Sequence, residues 1–478
     1  MKFLFPFVFI VFYFYAPIIN AALTIIPSKN DILQSIKIAA NAALRNQYSS
    51  GAAKCDYHLL QSKWFDYERL WHTGQLSLGL LKAAIVLGPN DIQYNDFTRK
   101  AILAANWWIY QKIDTGPCSG LVNSTDIDEN GYGCITDACG ITEDLTDVSD
   151  GSHSLFEITK FTKNNTYADI AANSAIWQLE HMQVSNSKHP GLYYNVVNLT
   201  TGNPITENDR GTSKLENVSR SNIEGSLFLD TCKYFMISER ENSSRTLKLH
   251  KKLCDSFFEQ ANETIQRQDK YGLWMLWTPN DSSNNRFHPR FNVWYALSLL
   301  DAADFLNTSS YTHKFYNGNN GALIKLYVNA SIRTAETYAF AQQESGTIYY
   351  WNQLVDIDKS KNKFKVVPEK NAPCGSGVAV SLSLWLRLYI KGYGDKFSSN
   401  IIKSVKWLIE NQFSETHADL NLAGAYFEVG FRKIAHWVSE NTLDVVQRDL
   451  ATNIGLQALS DYIMYCNKNP RDKIICFQ

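Results

Sequence analysis

From residue 30 onward, apolar positions return at helical spacing in segment after segment, with loops rich in Gly, Asn, Ser and Pro between them. Two kinds of segment alternate. In one, Leu247, Cys254, Phe257, Phe258 and Ala261 share a face while Lys248, Lys251, Lys252 and Glu259 share the other, the pattern of a helix wet on one side. In the other, Ser226–Leu229, Asn292–Leu300 and Ser376–Leu386 run without a charged side chain, which predicts helices enclosed on most sides. Enclosed helices are expected near 70–87, 151–163, 224–239, 291–306, 376–391 and 449–465, and half-wet partners near 31–47, 93–111, 167–182, 246–266, 321–343 and 398–412. Sustained alternation of the strand type is scarce. A second repeat follows the half-wet segments: Gly191-Leu192-Tyr193-Tyr194, Gly272-Leu273-Trp274, Gly346 to Trp351, and Gly424-Ala425-Tyr426-Phe427. Such a unit, recurring about every 60 to 80 residues, predicts an all-α chain of helical hairpins closed into a ring, as one domain over 23–478.

The first residues change the picture of compartment. Met1-Lys2 precedes an apolar run from Phe3 to Ile19 and small residues at Ala21 and Ala22, which reads as a signal peptide over 1–22 and predicts a secreted chain, extracellular or in the cell wall. No later apolar run reaches the roughly 20 residues of a membrane span. Sequons at Asn123, Asn164, Asn198, Asn217, Asn242, Asn262, Asn280, Asn307 and Asn329 agree with secretion and mark glycosylation sites. The 9 cysteines then predict several bridges and at least one thiol: Cys118, Cys134 and Cys139 cluster, Cys232 and Cys254 lie on successive helices, and Cys466 and Cys476 close the tail. A net charge of -1 supplies no basic field for a nucleic acid. The 12 Trp and 25 Tyr exceed the needs of a helical core and leave rings for a binding surface. A monomer is expected.

Several short motifs carry a family likeness: Gly120-Leu121-Val122, then Asp128 and Cys134, then Asp150-Gly151-Ser152 opening an enclosed helix that leads to Asn164-Asn165-Thr166-Tyr167, and Gly225-Ser226-Leu227-Phe228 leading to Ser243 and Ser244. The chain resembles the six-hairpin glycosidase superfamily, and most of all fungal proteins similar to glycoside hydrolase family 76. The resemblance implies an (α/α)6 toroid with its cleft where the inner helices begin. Family 76 mannanases resemble one another in an adjacent pair of aspartates inside the cleft, and this chain has no Asp-Asp dipeptide.

Glycoside hydrolysis needs one protonated and one ionised carboxyl group. Asp147 and Asp150 are expected just before a helix starting at Gly151, where a helix N-terminus favours the ionised form, although Asp150 can equally be a simple cap. Glu224 heads the next enclosed helix, where desolvation suits a general acid. Trp71, Tyr193, Trp274, Trp294, Trp351 and Trp437 are candidate sugar-stacking rings, with His72 and His436 as lesser candidates beside two of them. His288 and Arg290, next to Asn292, are placed to clamp a uronate carboxylate. Asp126, Asp128, Asn130 and Asp137 have the spacing of a calcium loop, the one cofactor the sequence offers, though the loop ends in Asp rather than Glu and carries Cys134. The leading expectation is a hydrolase of a cell-wall or environmental polysaccharide, with Asp150 ionised and Glu224 as acid. A polysaccharide lyase or unsaturated-uronyl hydrolase on acidic glycans, and a non-catalytic glycan-binding protein, are the alternatives.

Overall fold

The computed structural model describes residues 26–477, apart from 60, 67–68, 124–141, 185–192, 195, 205–224, 238–243, 275–288, 310, 312–317, 351, 359–362, 369–372 and 433–443. Twelve α-helices stand among the described residues: α1 Lys29–Arg45, α2 Arg69–Leu87, α3 Tyr94–Tyr110, α4 Leu145–Thr162, α5 Thr166–His181, α6 Leu227–Ile237, α7 Ser244–Gln266, α8 Phe291–Thr308, α9 Asn320–Ala341, α10 Gly375–Ile390, α11 Ser398–Glu410 and α12 Leu450–Lys468. The odd-numbered helices bury one stripe. In α1 that stripe is Ile32, Ile36, Ala39, Ala40 and Ala43, and Ser28 with Asp31 closes a capping box at its start. The even-numbered helices are buried nearly all round: every residue of α2 from Leu70 to Leu81 and of α10 from Gly375 to Leu382 is shielded.

The even-numbered helices form the inner ring. Neighbours α2–α4, α4–α6, α8–α10 and α10–α12 pack together, α12 returns to α2, and Ser226, just before α6, donates to Ser298 of α8 at 2.8 Å. Glycine sets how closely they approach. A Cβ on Gly74 of α2 would stand 2.3 Å from the Gly151 carbonyl of α4, and one on Gly151 would stand 2.4 Å from the Trp108 ring and 2.9 Å from Trp71 Cα. Gly151→Ala is therefore expected to destabilise the fold by about 1–3 kcal/mol or more, read as a lower urea midpoint at unchanged slope.

A device repeated at four places among the described residues ties the outer helices together; the Gly191 unit lies outside them. After α1, α7, α9 and α11 the chain makes a tight turn around a glycine of positive φ: Gly51, Gly272, Gly346 and Gly424. Each glycine lies against the next outer helix; a Cβ on Gly346 would come within 2.4 Å of the Lys403 carbonyl in α11. A glutamine at the end of each of these helices clips the turn to the same neighbour. Gln342 Nε2 donates to the carbonyls of Gly346 and Asn400, and Gln412 Nε2 to those of Gly424 and Ser35, so the last turn closes onto the first helix. The Gly-aromatic repeat is thus the sequence trace of a geometric unit, and the accompanying glutamine is the part that pattern reading missed.

The strands among the described residues lie in outer-to-inner connections, at the mouth where the inner helices begin. β1 Tyr57–His58, β2 Lys63–Trp64, β7 Val429–Arg432 and β8 Asp444–Gln447 make an antiparallel sheet in the order β2-β1-β8-β7, with Tyr57 opposite Gln447. β3 Thr142–Asp144 pairs with β4 Val196–Asn198, and β5 Asn352–Asp358 with β6 Lys363–Pro368. Disulfides join Cys232 to Cys254 and Cys466 to Cys476, while Cys55, Cys118 and Cys374 are buried thiols. The first bridge ties inner helix α6 to outer helix α7 within one hairpin.

One boundary departs from expectation. The helix carrying Asp150 begins at Leu145, not at Gly151. It starts directly from β3, whose pairing with β4 ends the extended stretch, and Leu145, Val148 and Leu155 continue one buried face back through the acidic run.

Candidate active site

The mouth of the ring gathers side chains from opposite walls. Trp71, in the first turn of α2, meets Trp294, in the first turn of α8, edge to face at 6.1 Å, and these helices stand three places apart in the ring. Trp71 is buried and Trp294 half-buried. Asp150 comes to the same place from α4: its carbonyl accepts from Gln75 Nε2 of α2 at 2.5 Å, the backbone of Gly151 touches Trp71, and the side chain is 6% exposed. Asp147 lies one turn earlier and is partly exposed. Both acids therefore lie inside the opening turns of α4 rather than ahead of it.

Arg290, immediately before α8, is held by several partners through Nη1. Its guanidinium lies 5.7 Å from the Trp71 ring centre and 5.5 Å from that of Tyr350. Its Nη1 donates to Tyr350 at 2.6 Å, to Ser376 Oγ at 3.1 Å and to Glu428 at 3.3 Å. Glu428 is 0% exposed and also accepts from the Tyr350 hydroxyl and, at 2.5 Å, from the Ser376 N–H at the start of α10. The charges are paired and both Glu428 oxygens are satisfied inside the protein, so this ion pair braces the mouth and leaves Arg290 little reach toward an outside carboxylate.

His72, next to Trp71, is 0% exposed, and its Nδ1 lies 2.8 Å from Asp449, the residue before α12. Tyr193 is buried against Phe228, and burial pushes its hydroxyl up to about 12. Burial likewise pushes the Cys374 thiol, at the cap of α10, up to about 12, which keeps it unreactive. Glu224, His288, Trp351, Trp437, His436, and the calcium-loop residues Asp126, Asp128, Asn130 and Asp137 lie outside the described residues. The structure thus brings Trp71, His72, Asp150, Arg290 and Trp294 together and buries Tyr193 against Phe228. Glu428, Asp449 and Asp56 are the acids that sequence reasoning missed. Asp449 stands directly before an enclosed helix, the same position that singled out Asp150, and it could have been found by that rule.

The chain covers its counterparts almost end to end. It is similar to an unsaturated glucuronyl hydrolase from Streptococcus agalactiae (TM-score 0.55, 12% identity, 92% of this chain and 93% of that one). It is also similar to a possible member of the GH105 family from Klebsiella pneumoniae (0.53, 12%, 92% and 94%) and to an alpha-1,2-mannosidase from Trichoderma reesei (0.50, 14%, 91% and 93%). The fold is an (α/α)6 toroid. No family model matches the chain, and no curated protein matches it. At such identities the likeness is one of architecture.

A second set of ion pairs joins neighbouring inner helices, with side chains partly open to solvent. His153 Nδ1 of α4 is 2.7 Å from Asp230 of α6, Arg387 of α10 binds Asp301 and Asp304 of α8 at 2.5 and 2.8 Å, and Lys82 of α2 binds Asp461 of α12 at 2.7 Å. All six inner helices contribute. Burial pushes His153 down, but the Asp230 carboxylate, with Glu157 and Asp301 behind it, outweighs this and holds it above its ordinary value. Burial raises Asp230, and His153 and Lys233 more than reverse that. The histidine's contribution is therefore complete below its unfolded pKa of about 6.5 and fades as pH rises through the higher folded value, while the aspartate's fades as pH falls below the usual carboxylate range. Thermal melts are expected to show the highest Tm in mildly acidic buffer and a decline above neutrality, a slope that His153→Gln flattens.

Proposed function

We propose that this chain is a secreted glycoside hydrolase that cleaves a cell-wall or environmental polysaccharide in the mouth of the toroid, with Asp150 as the ionised carboxylate and Glu224 as the acid. The observation that carries the reading is that Trp71 and Trp294 meet from opposing inner helices where the start of α4, with the shielded Asp150, packs through its backbone against α2. An aromatic pair beside a carboxyl group is what a sugar ring and its scissile oxygen need: stacking on the apolar face and a proton or an anion at the bond. Glycan-active proteins among the solved toroids, including the mannosidase and the glucuronyl hydrolase, support it by analogy. Secretion is supported by the sequons, of which Asn164, Asn307 and Asn329 are exposed. The mature chain acts as one domain over 23–478 and as a monomer in this reading.

The engagement of Arg290 with Glu428 weighs against the uronate-directed alternative. Purified protein incubated with neutral and uronate-containing cell-wall glycans tests this directly. New reducing ends from a neutral glycan are expected, without the ultraviolet absorbance of an unsaturated uronate being made or consumed. Absorbance change on acidic glycans alone would transfer the assignment to lyase or uronyl-hydrolase chemistry. Binding without turnover of any glycan would leave a lectin-like protein, the outcome that the missing Asp-Asp pair favours.

A further inference from the structure

The strongest feature outside the proposed hydrolysis is a trio on the wall of the mouth. Cys55, on the segment leading into α2, His72 of α2 and Asp449 before α12 each present one ligand-type atom, and these atoms all lie within 4.8 Å of one another. Cys55 and His72 are 0% exposed and Asp449 is 9% exposed. A comparable grouping, Cys232, His250 and Cys254, is already closed by a disulfide.

Three observations make the first trio more than a chance meeting. A buried carboxylate needs a compensating cation, and Asp449 has no Lys or Arg partner among the described residues: Arg448 is paired with Asp56 at 2.8 Å, and Arg69 with Asp66 at 3.3 Å. The donors on Asp449 are the Asp56 N–H at 3.2 Å, Asn453 Nδ2 at 3.0 Å and His72. Asp449 also forgoes the ordinary task of an aspartate at this position, since its side chain makes no capping bond to its own helix. Finally, His72 Nε2 is buried and has no hydrogen-bond partner among the described residues, so the ring has donor capacity that the protein leaves unused.

We propose that Cys55, His72 and Asp449 bind a divalent transition-metal cation of the zinc class. Thiolate, imidazole and carboxylate are zinc's usual donors, and tetrahedral zinc holds its ligands roughly 3 to 4 Å apart, so the His72–Asp449 pair at 2.8 Å opens slightly while Cys55 closes in from within 4.8 Å. One thiolate and one carboxylate balance a divalent ion; the thiol proton is released to solvent, and the proton that His72 Nδ1 shares with Asp449 moves to Nε2. The site does not depend on the hydrolase reading, because it would stabilise the mouth by joining the Cys55 segment, α2 and α12 whatever the substrate.

Cobalt(II) added to the chelator-treated, full-length secreted protein is the probe. One equivalent is expected to bind with the near-ultraviolet absorption of a cobalt–thiolate bond, to be displaced by zinc, and to raise Tm. Cys55→Ser is expected to abolish the thiolate band, and Asp449→Asn to weaken binding by at least about 10- to 100-fold. Absence of a thiolate band in the wild type, or its persistence in Cys55→Ser, overturns the proposal, and the wild-type spectrum decides it even where a variant fails to fold.

Discussion

Asp150→Asn is expected to lower turnover of the responsive glycan by about 10²- to 10⁴-fold, the range by which a positioned carboxyl group accelerates proton-coupled bond cleavage. The substitution is nearly isosteric, and the bond from Gln75 goes to the backbone carbonyl of residue 150, which the variant keeps. The close packing of Gly151 on Trp71 and Trp108 is also untouched. Folding and glycan binding are therefore expected to survive while kcat falls, so KM and far-UV circular dichroism serve as internal controls. Turnover within a few-fold of wild type removes Asp150 from the chemistry and moves attention to the other buried acids of the mouth. Glu428 is the less suited of these, since both its oxygens already accept hydrogen bonds.

Arg290→Met should be the most damaging single change to stability, costing about 3–5 kcal/mol, because it strands the Glu428 carboxylate where no water reaches it. The partners that remain, the Tyr350 hydroxyl and the Ser376 N–H, are neutral donors that satisfy lone pairs without cancelling charge. The physical claim lies in the comparison with a double variant. Arg290→Met combined with Glu428→Gln removes both charges and is expected to recover a substantial part of the loss, giving a coupling of a few kcal/mol in a urea-denaturation cycle. Additive losses from the two single variants would show that the guanidinium acts through packing on Trp71 and Phe291 instead.

The alternation of half-wet and enclosed helices was legible because it is a local property. The stretch without charge at 376–386 lies within Gly375–Ile390, and the expected helix near 70–87 is Arg69–Leu87. The Gly-aromatic repeat likewise marked the turns, since a positive φ leaves its trace as glycine. The start of α4 was misread because Ser149, Asp150 and Gly151 have the composition of a cap, while the strand pairing that sets the true start involves residues more than 50 positions away. The β5–β6 hairpin carries no simple alternation, and its register is set by pairing between its own two strands.

What the sequence by itself determined is the class of the fold: helical periodicity and the absence of charge are written residue by residue, and burying twelve such stripes leaves few arrangements other than a closed ring. What only the tertiary structure decided is the state of each candidate group. Arg290 proves to be paired with an acid 138 positions later, and His72 with one 377 positions later. The reactivity of a side chain depends on the charge and dielectric around it, and in a toroid those are supplied by helices that meet only when the first hairpin closes against the last.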